Sequence, residues 1–454
     1  GHSQSYNNEL TKKVKSGQLF ITKSEFGRNG VSQSFQSFVR KNILPFDASI
    51  SPRLVHYNCW EAIYFNHNLH DLKDIATLAV SLGAERFVLD DGWFGSRNDD
   101  TSSLGDWDVD KTKFPNGLGP LIKHINEIGM EFGIWFEPEM ISPNSNLYRS
   151  HPNWILGDEK QLLGRNQYVL DLNKIEVHNY LFEKISKILN ENNISYIKWD
   201  HNRVLPYPDQ NQVKGFYKLL DKLRSFFPHV EIESCSSGGG RIDYGVLKRT
   251  HRVWLSDSND ALVRFRMQNN ASIWLPSEVV GSHVGPRKCH TSGRVLNMSL
   301  RAWVAASRHM GFEMDPRELN EDETALLKEI TQWYKENRCW MHKGFSSQLD
   351  LSDESQLGEI QISNDNAKFV SFVVQFEQSK YSSPKPVNLT GLEANSIYKI
   401  NLKTPENAAL VSRGKITLRD KELILSGQFL MSQGINLPCA FPGTIWVIEG
   451  IKLC

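Results

Sequence analysis

Sulfur is sparse and scattered: the 454 residues hold six cysteines, Cys59, Cys235, Cys289, Cys339, Cys439 and Cys454, with no CxxC pair among them. That dispersal argues against a disulfide framework and a structural zinc site. It suits free thiols in a reducing compartment, so a cytoplasmic location is expected. An excess of one charge is also missing, since Lys+Arg 52 is matched by Asp+Glu 52. No electrostatic footprint therefore favours nucleic acid or an anionic membrane surface. No apolar run reaches the roughly 18 residues of a membrane-spanning helix. No repeat of about 20 to 50 residues and no low-complexity tract is present. The opening GHSQSYNNEL has no initiator Met, basic region or apolar region, and reads as a tag remnant rather than a leader.

Aromatics, by contrast, are plentiful: 12 Trp, 23 Phe and 13 Tyr make 11% of the chain. Such content suits stacking on sugar faces and equally a large core. From about Val55 to Asp315 short apolar runs alternate with amphipathic stretches, the βαβα rhythm of a parallel sheet with helices outside. Candidate strands are LVHYNCW (54–60), RFVLDD (86–91), FGIWFEP (132–138), YVLDL (168–172), SYIKWD (195–200), EIESC (231–235), RVWLSD (252–257), SHVG (282–285) and GFEMD (311–315). Nine exceed the eight of a closed barrel, so one belongs to a loop. Helical periodicity marks 70–83, 174–193 and 320–337. After about His342 the texture shifts to short alternating runs, at 368–377, 396–402, 415–418, 421–426 and 444–450. The expected fold is α/β: a (β/α)8 TIM barrel over 52–342, followed by a C-terminal antiparallel β-sandwich over 343–454. Residues 1–51 form an N-terminal stub or linker, with one strand-like run at 18–26 and one helix-like run at 30–44.

A parallel barrel keeps its active site at the C-terminal strand ends, so polar residues closing apolar strands are informative. Here they are Asp90 and Asp91, Glu137 and Glu139, Asp200, Cys235, and Asp257. Any one Asp could simply cap the following helix; several at one mouth suggest chemistry. Lys198 and Asp200, two apart on a strand, share a face. An ammonium there would keep Asp200 ionised, although a structural ion pair would look the same. A second carboxylate on another strand, Asp257, would complete the pair that glycoside hydrolysis needs. His201, His283 and His290 show neither HxH nor HExxH spacing, so no metal site is expected.

The motifs YNCWEA (57–62), LDDGWFG (89–95), GIWFEPEMISP (133–143), GRNQYVLDL (164–172), YIKWDHNR (196–203), ESCSSGGGRID (233–243), WLSDSNDAL (254–262) and SHVGPRKCHTSGR (282–294) occur in that order. The chain strongly resembles the retaining α-galactosidases of glycoside hydrolase family 36. The resemblance implies Asp200 as nucleophile and Asp257 as general acid/base, with Asp260 of the same motif the competing acid. It implies that Asp90 and Asp91 bind the galactose 4- and 6-hydroxyls, with Trp60 and Trp135 as walls and Arg165 and Lys198 as further polar contacts. Cys235 and the amide of Gly238 would line the side facing the 2-hydroxyl. Cys235 could equally be a buried small hydrophobe, and the two tryptophans core residues. Glu137 and Glu139 read as loop-orienting groups.

The resemblance further implies hydrolysis of terminal α-linked galactose from oligosaccharides such as melibiose or raffinose, without a cofactor. A galactosyl transferase of the same family and a non-catalytic sugar-binding protein are the competing readings. The family's large N-terminal β-sandwich is represented only by the stub before Pro52, and relatives assemble as homo-oligomers. His201 replaces a Met common in the family, and Leu255, Ser258 and Asn259 vary its usual WTSDNTD pattern.

Overall fold

The computed structural model describes residues 17–47, 52–408 and 417–453. Eight parallel strands close a barrel: β1 His56–Asn58, β2 Arg86–Leu89, β3 Glu131–Phe136, β4 Tyr196–Trp199, β5 Glu231–Ser234, β6 Arg252–Trp254, β7 Val280–Val284 and β8 His309–Phe312. Closure joins β1 to both β2 and β8, with His56 opposite Arg86 on one side and Gly311 on the other. The surplus candidate, YVLDL, lies outside the barrel. Its Tyr168–Val169 pairs antiparallel with Met140–Ile141 beside the mouth.

Alternation along each strand separates two environments. Phe87 and Leu89, Ile134 and Phe136, and Ile197 and Trp199 join the apolar layer between strands and helices, with Leu72, Ile75, Leu121, Leu181 and Ile185. The intervening residues face the barrel interior and are mixed: Val88 on β2, Trp135 on β3 and a polar series on β4. On β4, Tyr196 donates to Glu233 Oε2 at 2.7 Å, Lys198 reaches Asp90, and Asp200 tops the stack. Lower down, Arg252 pairs with Glu233 and reaches His283 Nε2 at 2.8 Å and His309 Nδ1 at 3.1 Å. Burying so many polar groups is tolerable because they satisfy one another.

The expected helices form at Leu69–Ser81, Ile175–Glu191 and Glu321–Lys343. The last begins with a capping box, Asn320 and Glu323 exchanging side-chain and backbone hydrogen bonds. One ring position is thin: after β5 the only helix is Tyr244–Leu247. The N-terminal helix Gly27–Asn42 compensates, packing Val39 with Ile43 onto Leu247, Val253, Leu275 and Val280. The run at 18–26 differs from expectation. It is irregular chain to Ser24 with Leu19 and Ile21 exposed, because it lies along helices rather than a sheet edge, and only Phe20 packs, against Phe38 and Tyr244.

The C-terminal unit is an antiparallel sheet of β9 Phe345–Gln348, β10 Gln356–Ile362, β11 Lys368–Gln375, β12 Ile397–Leu402, β13 Leu423–Ser426 and β14 Thr444–Lys452. Their order among the described residues is β9-β10-β11-β14-β12-β13. Both faces are covered. Val370, Phe372, Val374, Ile445 and Val447 join the barrel core, while Phe369, Val373, Trp446 and Ile448 pack under Leu389, Leu430 and Leu437. The run at 415–418 falls partly outside the described residues, and Thr417–Asp420 is a helical turn.

Candidate active site

The strand ends bring the motif residues to one mouth. Asp200, immediately after β4, is buried, and its Oδ2 accepts from Trp135 Nε1 at 3.1 Å and Asn202 Nδ2 at 2.9 Å. Its Oδ1 takes the backbone N–H of His201 at 2.8 Å. Burial opposes ionisation of this carboxyl. The Lys198 ammonium, the Asn202 amide, the Cys235 thiol and the His201 N–H outweigh it and hold Asp200 below the usual carboxylate value.

Asp257 follows β6 by three residues and opens to solvent at the rim, its Oδ1 accepting from Trp254 Nε1 at 3.0 Å. One edge meets water, yet the surrounding protein walls strip much of its hydration. That loss, then the charge of Asp200, raises its carboxyl above the ordinary value, against the pull of Lys198, Trp254 and Arg165. The two groups are thus driven in opposite directions, one toward the anion and one toward the acid.

Asp260, the competing acid, is fully buried and otherwise occupied. It caps the helix Ala261–Ala271 through Val263 N–H at 3.1 Å, and accepts from Ser292 Oγ at 2.6 Å beside Arg294. Gly238 packs against the loop that carries Asp257. Its φ is +83°, and a Cβ there would stand 2.5 Å from Ser256 Cα and 3.0 Å from Asp257 N, so glycine alone fits.

Across the mouth, Asp90 Oδ2 accepts from Lys198 Nζ at 2.8 Å and Asn58 Nδ2 at 2.5 Å. Asn58 Oδ1 in turn accepts the backbone N–H of Trp60 at 2.8 Å, tying that half-buried indole to the same cluster. Asp91 is gripped by Arg97, Nε to Oδ1 at 3.1 Å and Nη2 to Oδ2 at 2.9 Å. Trp135 is buried and stacks on Phe94 at 6.2 Å. Arg165 sits in a tight turn at φ +50°, pairs with Asp100 at 3.2 Å, and lies within the field of Glu137, Asp200 and Asp91. Cys235 is buried beside Asp200, and burial followed by that charge pushes its thiol well up.

Several participants escaped the sequence reading. Asn58 and Asn202 stand inside quoted motifs, where their amides could have been weighed as carboxylate donors. Arg97 lies six residues after its partner Asp91 on the same loop, two past the LDDGWFG motif, and a spacing of six has no regular periodicity to mark it. Glu139 behaves as expected of an orienting group, Oε1 accepting from Arg241 at 2.7 Å and Trp199 at 2.9 Å. A groove of about 1460 Å³ runs from His201, Asn202 and Ser237 down the outer wall to Tyr244 and Trp274. Neither Asp200 nor Asp257 lines it. Among the described residues no group of three or more His, Cys, Asp or Glu could hold a metal ion.

Paired carboxylates of opposed acidity at the mouth of a parallel barrel are the equipment with which glycoside hydrolases work. The chain belongs to the melibiase family, whose model matches residues 14–344, and the glycosyl hydrolase family 36 C-terminal domain matches residues 360–445. It is 42% identical over 439 residues to an α-galactosidase of Escherichia coli, covering 93% of this chain and 62% of that protein. It is 39% identical over 407 residues to the α-galactosidase Mel36A of Lactobacillus acidophilus, covering 86% and 55%. The chain thus spans somewhat over half the length of these curated relatives. Among solved structures, a substituted form of the Geobacillus stearothermophilus family 36 α-galactosidase AgaA in complex with raffinose superposes with a TM-score of 0.85 at 33% identity, covering 94% of this chain and 59% of that one.

Proposed function

We propose that this chain carries the catalytic apparatus of an exo-acting retaining α-galactosidase, which removes terminal α-linked galactose from oligosaccharides such as melibiose and raffinose. The observation that carries the reading is the opposed displacement of two carboxylates at one mouth, Asp200 toward the anion and Asp257 toward the acid.

In this reading Asp200 attacks the anomeric carbon while Asp257 protonates the departing glycosidic oxygen, giving a galactosyl ester on Asp200. Asp257, now ionised, takes a proton from water, which attacks the same carbon and releases galactose with its α configuration. No step calls for a cofactor, because both proton transfers belong to one side chain. Asp90 and Asp91 are acceptor-only groups suited to the 4- and 6-hydroxyls, and their orientations are set by Lys198, Asn58 and Arg97. Trp60 and Trp135 wall the ring, Arg165 overhangs it, and Cys235 with Gly238 bounds the side of the 2-hydroxyl. The raffinose complex of the Geobacillus relative supports an oligosaccharide as the partner.

No helix among the described residues is long and apolar enough to cross a membrane. The free thiols of Cys59, Cys235 and Cys289 suit a reducing cytoplasm. Assembly as a homo-oligomer follows from the family resemblance.

Release of p-nitrophenol from its α-galactoside, followed by proton NMR of the sugar, tests the proposal. Galactose should accumulate first as the α anomer and only later mutarotate. Initial β anomer would overturn retention, and absence of release would overturn the activity.

A further inference from the structure

Glu137 follows Phe136 at the end of β3 and is buried. Trp135 and Glu137, two residues apart, leave the chain on one side, and both serve Asp200. Trp135 donates to Asp200 Oδ2 directly. Glu137 reaches the same oxygen in two steps: its Oε1 accepts the backbone N–H of Asn202 at 2.5 Å, and Asn202 Nδ2 donates to Asp200 Oδ2 at 2.9 Å. Gln167 Nε2 donates to Oε1 at 2.7 Å, anchoring the carboxyl from the Arg165 turn. Asn202 Oδ1 accepts from Ser237 Oγ at 3.2 Å, next to Gly238, so the same amide spans the ends of β4 and β5. Glu137 Oε2 is buried and takes no hydrogen bond from the described residues.

We propose that Glu137 is a positioning residue for the covalent step: by fixing Asn202 it aims the Asp200 carboxylate at the anomeric carbon, without itself touching the sugar. The inference rests on the reading of Asp200 as nucleophile. Charge agrees with geometry. Burial, then the charge of Asp200 on β4, pushes Glu137 up to about 8, against Arg165, the Asn202 N–H and Arg97. That shift favours the neutral carboxyl. It therefore holds Asn202 through an acceptor oxygen without setting a second negative charge against the nucleophile. An amide would do the same, which makes glutamine the informative replacement.

The test is the pre-steady-state burst with a dinitrophenyl α-galactoside, a leaving group that needs no acid and so isolates the attack by Asp200. Glu137→Ala is expected to slow the burst roughly 10- to 100-fold, the scale of a misaimed reacting group, with KM within about 3-fold. Glu137→Gln should recover most of that loss. Asn202→Ala should slow the burst comparably, and the Glu137→Ala, Asn202→Ala double variant should be no slower than the worse single, because one relay is cut twice. A burst in Glu137→Ala within about 2-fold of the parent would overturn the proposal, as would multiplying losses in the double variant. Failure of Glu137→Gln to recover the rate, with a melting curve like the parent's, would overturn it too. If Glu137→Ala melts below the assay temperature, Asn202→Ala decides: an unchanged burst there sinks the relay. A parent with no burst at all would instead defeat the hydrolase reading, a different failure.

Discussion

Lys198 Nζ lies 2.8 Å from Asp90 Oδ2, across the barrel mouth from the strand it stands on. Its position two residues before Asp200 suggests a partnership along β4. The ammonium instead closes an ion pair with β2, and acts on Asp200 through its field. One buried cation thus orients Asp90, the proposed sugar-binding carboxylate, and favours ionisation of Asp200, the proposed nucleophile.

Replacing it separates the two effects. Lys198→Met should leave Asp90 buried without its cation, costing about 3–5 kcal/mol in chemical denaturation. It should also let Asp200 rise toward the ordinary carboxylate value, moving the acid limb of kcat/KM to higher pH. A variant with unchanged stability and an unmoved acid limb would contradict both.

The two aspartates should fail differently. Asp200→Ala removes the group that forms the ester, so every galactoside should stop turning over. Asp257→Ala should spare the first step for a dinitrophenyl leaving group and then stall. Azide should rescue the Asp257 variant to α-galactosyl azide, entering where water would, and the Asp200 variant to the β-azide, entering from the vacated side. Rescue to the α-azide in Asp260→Ala instead would move the acid to the capping residue.

The pH profile follows from the directions of the two shifts. The proposed mechanism requires Asp200 ionised, which holds above its lowered value, and Asp257 protonated, which holds below its raised value. The bell of kcat/KM for a p-nitrophenyl galactoside should therefore extend past the ordinary carboxylate range on both sides. With a dinitrophenyl leaving group the alkaline limb belonging to Asp257 should vanish. Persistence of that limb would show that another group donates the proton.

Stability across the two units depends on Arg308, just before β8. It forms a two-pronged pair with Glu359 of β10, Nη1 to Oε1 at 2.5 Å and Nη2 to Oε2 at 2.6 Å, both side chains almost fully buried. Arg308→Ala should cost about 3–5 kcal/mol, because a carboxylate is left in the interface without its cation. Circular-dichroism melts of the variant against the parent would check this. An unchanged melt would mean that the pair adds nothing to the other contacts that hold the sheet.

That pair also shows where sequence reading stops. The barrel strands were legible because each couples an apolar outer face to a polar residue at its end, as in Phe87, Leu89 and Asp90. Strand β10 was not, since Glu359 and Gln361 alternate with apolar residues like a solvent-facing strand, yet Gln361 Nε2 donates to Ser307 O at 2.7 Å inside the interface. The proposed site residues stood out through motifs within a few residues of one another. Much of their support did not: Gln167 on Glu137 and the Arg252 cluster join side chains from different strands and loops. Pattern along the chain is silent about partners that only closure of the barrel brings together.

The helix Gly27–Asn42 that fills the thin place in the ring is synthesised well before its partners. Ser32 Oγ donates to Ser272 O at 2.7 Å and Gln36 Nε2 to Ser346 O at 3.1 Å, contacts spanning 240 and 310 residues of chain. At about 5–20 residues per second of synthesis, the helix waits tens of seconds before the surface it seals exists. Docking of this helix is thus among the last acts of folding, and the nascent chain must keep Val39 and Ile43 from other apolar surfaces until then.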